Sequence, residues 1–126
     1  MKYKVLVVLW MGLIFVSSSI PSYDFPDVGW WGWAKVIHLI YFGVLCFLFR
    51  KALQEQKQFS ALTKNPILFA ILFATVYGVM DEVHQIFTPG RHAMVTDVLV
   101  DALGACLYVA VARTYEFFRL KRADAA

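Results

Sequence analysis

The sequence predicts an all-α integral membrane protein, a four-helix bundle with both termini inside (N-in, C-in) and two external loops. Three observations carry this. Sixty per cent of the 126 residues are apolar, against roughly 45–50% in soluble domains. The apolar residues fall into four blocks bounded by charge: Val5–Ile20, Val36–Phe49, Pro66–Met80 and Ala102–Ala112. Of the 12 Lys and Arg, only Lys35 and Arg91 lie on one side of a four-span arrangement. Lys and Arg accumulate in short cytoplasmic loops, so the side carrying the rest is the inside. The length suits one domain, residues 1–126. A soluble bundle with buried core helices is the competing reading, but there is too little polar sequence to cover its surface.

A span across about 30 Å of hydrocarbon needs about 20 mostly apolar residues. The first block approaches that alone and predicts a span over residues 4–22, preceded by Lys2 and Lys4. Its ending in Val16-Ser17-Ser18 also resembles a cleavable signal peptide; the charge pattern favours retention. The loop PSYDFPDVGWWGW follows, and Trp30, Trp31 and Trp33 read as interfacial anchors at headgroup level. With Trp30–Lys35 included, the second block gives a span over 31–50. The polar stretch Gln54–Lys64 reads as a partly helical cytoplasmic connector. Including Asp81–His84 gives a third span over 65–85, and including Val95–Asp101 a fourth over 94–114. Between them Thr88-Pro89-Gly90-Arg91 is a turn signal, making these two spans an antiparallel hairpin. The tail from Arg119 reads as a basic, membrane-adjacent end. Cys46 and Cys106 fall inside apolar blocks without metal spacing and read as buried free thiols. The net charge of +3 resides in residues flanking spans and points to no nucleic acid.

The ionisable residues concentrate at one end. His38, His84 and His92 lie toward the external side, with Asp24, Asp27, Asp81, Glu82, Asp97 and Asp101. Helical spacing groups them. Lys35 and His38 share a face of span two. Tyr77, Asp81, His84 and Gln85 share a stripe on span three, with Glu82 displaced by about 100°. Asp97, Asp101, Gly104 and Tyr108 share a stripe on span four. A charged side chain within a bilayer costs about 2.5–3.5 kcal/mol on insertion scales, so such groups face a protein interior or a wet cavity. The pattern therefore predicts one polar pocket in the outer half of the membrane, walled by spans two, three and four. Its expected ligand-binding residues are Lys35, His38, Asp81, Glu82, His84, Gln85, Arg91, Asp97 and Asp101. The bland reading is that the cluster ties helices together. Interhelical hydrogen bonds in membranes average only about 0.6 kcal/mol, however, and small residues pack helices without the insertion cost.

Several chemistries fit this set. Lys35 and Arg91 suit a phosphate or carboxylate, so a lipid headgroup or a lipid-linked anion is one partner class. Acid–base catalysis by Asp81, Glu82 or His84 is a second, although no Ser or Cys nucleophile lies in the cluster. Proton-coupled transport would need an oligomer, because four spans are few. Metal binding has donors in His38, Asp81, His84, Asp97 and Asp101. The Asp81-x-x-His84 pair is single, however, whereas a di-iron bundle shows two such motifs. No metal and no cofactor is expected. A purely structural or partner-binding module is the remaining reading.

The chain also resembles the VanZ-like family of small membrane proteins, nearly end to end. The resemblance begins with Trp10, Phe15 and Ser17-Ser18-Ser19-Ile20-Pro21, and continues with Lys35-Val36-Ile37-His38 and Tyr41. It culminates in Tyr77-Gly78-Val79-Met80-Asp81-Glu82-Val83-His84-Gln85, Pro89-Gly90-Arg91, Asp97-Val98-Leu99-Val100-Asp101 and Gly104. It departs mildly at His92 and Thr96, where the family commonly has a small polar residue before the first Asp. The resemblance implies a multi-pass protein of the bacterial cytoplasmic (inner) membrane. It associates the family with resistance to teicoplanin, a glycopeptide acting on cell-wall precursors outside the membrane, or with envelope homeostasis. It implies no reaction. A cell-wall precursor thus joins membrane lipids among the expected partners, with the oligomeric state open.

Overall fold

The computed structural model describes residues 2–24, 30–56 and 58–123, with the side chains of Trp30 and Trp31 left aside. Asp27, Lys57 and the anchoring role of Trp30 and Trp31 therefore lie outside the described residues. The described chain is helical, without strands. Four long helices, α1 (Lys2–Ser18), α2 (Trp30–Glu55), α4 (Pro66–Gln85) and α5 (Val95–Ala123), are joined by a 3-10 turn at Ser22–Asp24 and a short α3 (Ser60–Lys64).

Three of these helices are long and apolar enough to cross a membrane: α2 from Gly32 to Glu55, α4 and α5. The remaining expected span, over residues 4–22, corresponds to α1, which is the shortest of the four long helices at 17 residues. That is about 25 Å at 1.5 Å per residue, shorter than the hydrocarbon core. Its stop is encoded locally. Proline biases Ile20 away from helical geometry, and the Ser19 hydroxyl donates to the Phe15 carbonyl at 2.7 Å, engaging the last turn. At the other extreme, α2 and α5 run past the expected span ends, to Glu55 and Ala123. The charges there end an apolar run, but Arg, Lys and Glu are good helix formers and do not end a helix.

Helix α2 sits at the centre, packed against α5 most extensively and also against α4 and α1. Its Phe42, Leu45 and Cys46 are fully buried, and Ile14, Ala70, Ala74 and Ala105 close over them from the other helices. Small residues permit the close approaches. A Cβ on Gly43 would stand 3.2 Å from the Gly104 carbonyl oxygen, and one on Gly104 would overlap the Leu39 carbonyl. Outward faces are apolar: Leu68, Leu72 and Val76 of α4 and Leu99, Leu103 and Val111 of α5 are all more than half exposed or nearly so. Two buried thiols were expected. Cys46 is buried, whereas Cys106 is exposed, because one step along α5 turns about 100° from the inward Ala105.

Candidate functional site

The long helices alternate in direction, so the ends of α1 and α4 meet the beginnings of α2 and α5. This brings four buried polar side chains into one layer: His38, Asp81, Glu82 and Asp101, with Gln85 beside them. From α2, His38 Nδ1 lies 3.0 Å from Asp101 Oδ1 of α5. One turn earlier on both helices, Lys35 Nζ donates to Asp97 Oδ1 and to Thr96 Oγ1 at 3.2 Å. These two rungs follow from i, i+3 spacing on α2 and i, i+4 spacing on α5. On α4, Gln85 Nε2 donates to Asp81 Oδ2 at 2.9 Å. Glu82 Oε2 accepts from the Met94 backbone N–H at 2.6 Å. That places a carboxylate at the N-terminus of α5, where the helix dipole favours it.

The connector between α4 and α5 forms the lid of this layer. Arg91 N–H donates to the Thr88 carbonyl at 3.1 Å, closing a turn with Gly90 at φ 73°, the positive φ a Pro-Gly turn of type II requires. Arg91 then turns to α1: Nε donates to the Ile20 carbonyl at 3.2 Å and Nη2 to the Ser17 carbonyl at 3.3 Å. The Thr88 hydroxyl donates to the Ser18 carbonyl at 3.2 Å. These bonds satisfy carbonyls that the end of α1 leaves without helical partners. Burial lowers the Arg91 guanidinium from its ordinary value, while the Asp81 and Glu82 carboxylates raise it; it stays a cation.

Two neighbouring cavities open here and share Ala34 and Arg91 in their walls. The first, about 70 Å³, is lined by Ser17, Ser18, His38, Tyr41, Asp81 and Arg91 among others. The second, about 240 Å³, is lined by Lys35, Gln85, Gly90, Arg91, His92 and Asp97 among others. The layer is acidic in balance: Asp81, Glu82, Asp97 and Asp101 face the fixed cations Lys35 and Arg91. Two buried carboxylate oxygens in it, Glu82 Oε1 and Asp101 Oδ2, have no hydrogen-bond partner. Such orphans are uncommon in a buried site and ask for a reason.

The structure thus brings together Lys35, His38, Asp81, Glu82, Gln85, Arg91, Asp97 and Asp101. It separates His84 from them. His84 is half-buried against α1, its Nε2 2.9 Å from Ser19 Oγ and its ring 4.4 Å from that of Phe15. The expected stripe on α4, with His84 inward and Glu82 displaced, is therefore reversed for these two residues. The cause is the rotation of α4, which seats Ala70, Ala74 and Gly78 against its neighbours. Continuing that i, i+4 series reaches Glu82, so the small-residue series was the signal for the inward acid. The cavity wall also includes α1, which the sequence expectation left out. The run Ser17-Ser18-Ser19 before a proline marked a helix end whose carbonyls and hydroxyls must find partners, and could have pointed to it.

The VanZ/LLP1 family model matches residues 4–119. Comparison with curated proteins finds no match, and neither does comparison with solved structures. The match covers nearly the whole chain and includes every residue of the polar layer. Together with three apolar helices that turn their apolar sides outward, it shows that this chain belongs to the VanZ/LLP1 family and is a multi-pass membrane protein.

Proposed function

We propose that this protein resides in the bacterial cytoplasmic membrane, N-in and C-in, and that α1 spans together with the three longer helices. The paired cavities then open in the outer leaflet and take the anionic headgroup of a lipid or a lipid-linked cell-wall precursor. One observation carries the reading: two adjoining cavities share Arg91, and one of them adds Lys35 and His92. A phosphate or carboxylate entering from the outer leaflet would meet two cations, the Arg91 guanidinium that also holds the end of α1 and the Lys35 ammonium. Apolar Ala34, Ile37 and Tyr41 in the smaller cavity offer a surface for the start of an acyl or prenyl chain. Binding at this place would link the protein to envelope homeostasis and to the glycopeptide response associated with its family.

A hydrolase or transferase using Asp81, Glu82 or His84 is less well supported. His84 is engaged with Ser19 and Phe15 and lines neither cavity. The test is native mass spectrometry of the detergent-purified protein, supplied with phosphatidylglycerol or an undecaprenyl phosphate. Wild type is expected to retain the anionic lipid, and Lys35→Ala and Arg91→Ala are expected to lose it with unchanged helix content. Equal retention by all three would overturn the reading.

A further inference from the structure

We propose that His38, Glu82 and Asp97 form a binding site for one divalent first-row transition metal, of which Zn²⁺ and Mn²⁺ are the test ions. Each residue comes from a different helix, α2, α4 and α5. One donor atom from each lies within 4.8 Å of the other two. Donors about 2.0–2.2 Å from a shared metal stand within about 4.4 Å of one another, so small side-chain movements close the site. One imidazole with two carboxylates is a mixed nitrogen and oxygen set, which suits these ions better than an all-oxygen set would.

Two further observations point to a ligand. Glu82 is 4% exposed, and only its Oε2 is engaged, by the Met94 N–H. Its Oε1 is buried with no hydrogen-bond partner. His38 is oriented through Nδ1 by Asp101, the carboxylate–histidine arrangement that fixes the tautomer at metal sites and leaves Nε2 as the donor. Asp101 is thereby a positioning residue for His38 and need not touch the ion. The charge balance agrees, because four carboxylates surround two fixed cations. Lys35 has a defined place in this account: its ammonium bridges Asp97 and Thr96. It therefore competes with the metal for the Asp97 carboxylate. This site stands whether or not the cavities take a lipid, because its readout is the metal alone.

The experiment uses the full chain purified in detergent, stripped with a chelator and titrated with Zn²⁺ or Mn²⁺ by calorimetry, with metal content measured after gel filtration. Wild type is expected to hold one ion per chain and to melt at a higher temperature with the ion than without. Glu82→Gln and Asp97→Asn are expected to abolish both effects. Asp101→Asn is expected to weaken binding by about 10–100-fold, and Lys35→Met to strengthen it. His84→Gln leaves binding unchanged, which separates this site from one built on the Asp81-x-x-His84 spacing. Helix content by circular dichroism confirms that each variant is folded. The proposal is overturned by a wild type that retains no ion, by Glu82→Gln and Asp97→Asn retaining it, or by Mg²⁺ binding as tightly as Zn²⁺.

Discussion

Asp101 has no exposed surface; one oxygen faces His38 and the other lies over the backbone of Gly78, where a Cβ would stand 2.5 Å away. A buried pair of this kind is weak evidence of stabilisation, because desolvation offsets much of the attraction; removing one partner is costly, since the other is left uncompensated. His38→Leu is therefore expected to destabilise the protein by about 3–5 kcal/mol. The double variant His38→Leu with Asp101→Leu should recover a large part of that loss. Reversible unfolding in mixed micelles measures both, and the non-additivity isolates the pair. If the double variant is no more stable than His38→Leu alone, the pair is not what holds these helices in register. At this scale the sequence was informative where spacing alone decided the matter. Lys35 with His38 and Asp97 with Asp101 each lie one turn apart, and the structure forms rungs from them. Glu82 and His84 were not decided so simply, because two residues along a helix differ by about 200°. Their choice depends on which face of α4 the small residues turn inward.

Helix α1 depends on its neighbours for an ending. Its terminal carbonyls are met by Thr88 and Arg91, and Ser22 N–H donates to the Pro89 carbonyl at 3.3 Å. In an apolar surrounding each unmet carbonyl would cost several kcal/mol, so the connector completes α1 across the helix bundle. Gly90 sets the shape of that connector through its φ of 73°. A side chain there costs about 1–2 kcal/mol for the left-handed backbone, and it would also press on Ser22. Gly90→Ala is thus expected to lower the melting temperature and to speed amide hydrogen exchange over residues 15–22, while the middles of α2 and α5 keep their protection. Unchanged exchange over residues 15–22 would show that α1 ends independently of the connector. The turn was legible because Pro-Gly has one preferred geometry. The docking on α1 was legible only as a helix end at Ser17-Ser18-Ser19 before a proline; which residues meet it was not, because the acceptors are backbone carbonyls, which carry no side-chain signature. The overruns of α2 and α5 have no mark in the sequence for a related reason. Charge locates the edge of hydrocarbon, whereas the end of a helix requires a breaker or a cap.

Across the whole molecule, polarity is distributed opposite to a water-soluble protein. Buried His38, Asp81, Glu82 and Asp101 lie inside one end, and Leu, Val and Phe cover the outside. The other end has its own polar tie. Arg50 donates to the Tyr108 hydroxyl at 3.3 Å and to Glu116 Oε1 at 3.1 Å, joining α2 to α5. The two ends differ in kind: one gathers acids and histidines around cavities, and the other is surrounded by Lys and Arg along the α2–α4 connector and the end of α5. Arginine and lysine accumulate at cytoplasmic span ends, so on the proposed topology the acidic layer is expected to face outward. Single-cysteine labelling tests this after Cys46 and Cys106 are replaced by alanine. Tyr23 follows α1 and is 73% exposed; Gln58 lies in the α2–α4 connector and is exposed as well. A membrane-impermeant maleimide applied to intact cells is expected to label Tyr23→Cys and to spare Gln58→Cys until the membrane is permeabilised. The reverse pattern would turn the bundle over and place the cavities in the cytoplasmic leaflet, where no external cell-wall precursor reaches them. Labelling of both sites in intact cells would mean that α2 does not cross. With the expected pattern, the charged layer and its cavities face the compartment in which lipid-linked wall precursors are consumed.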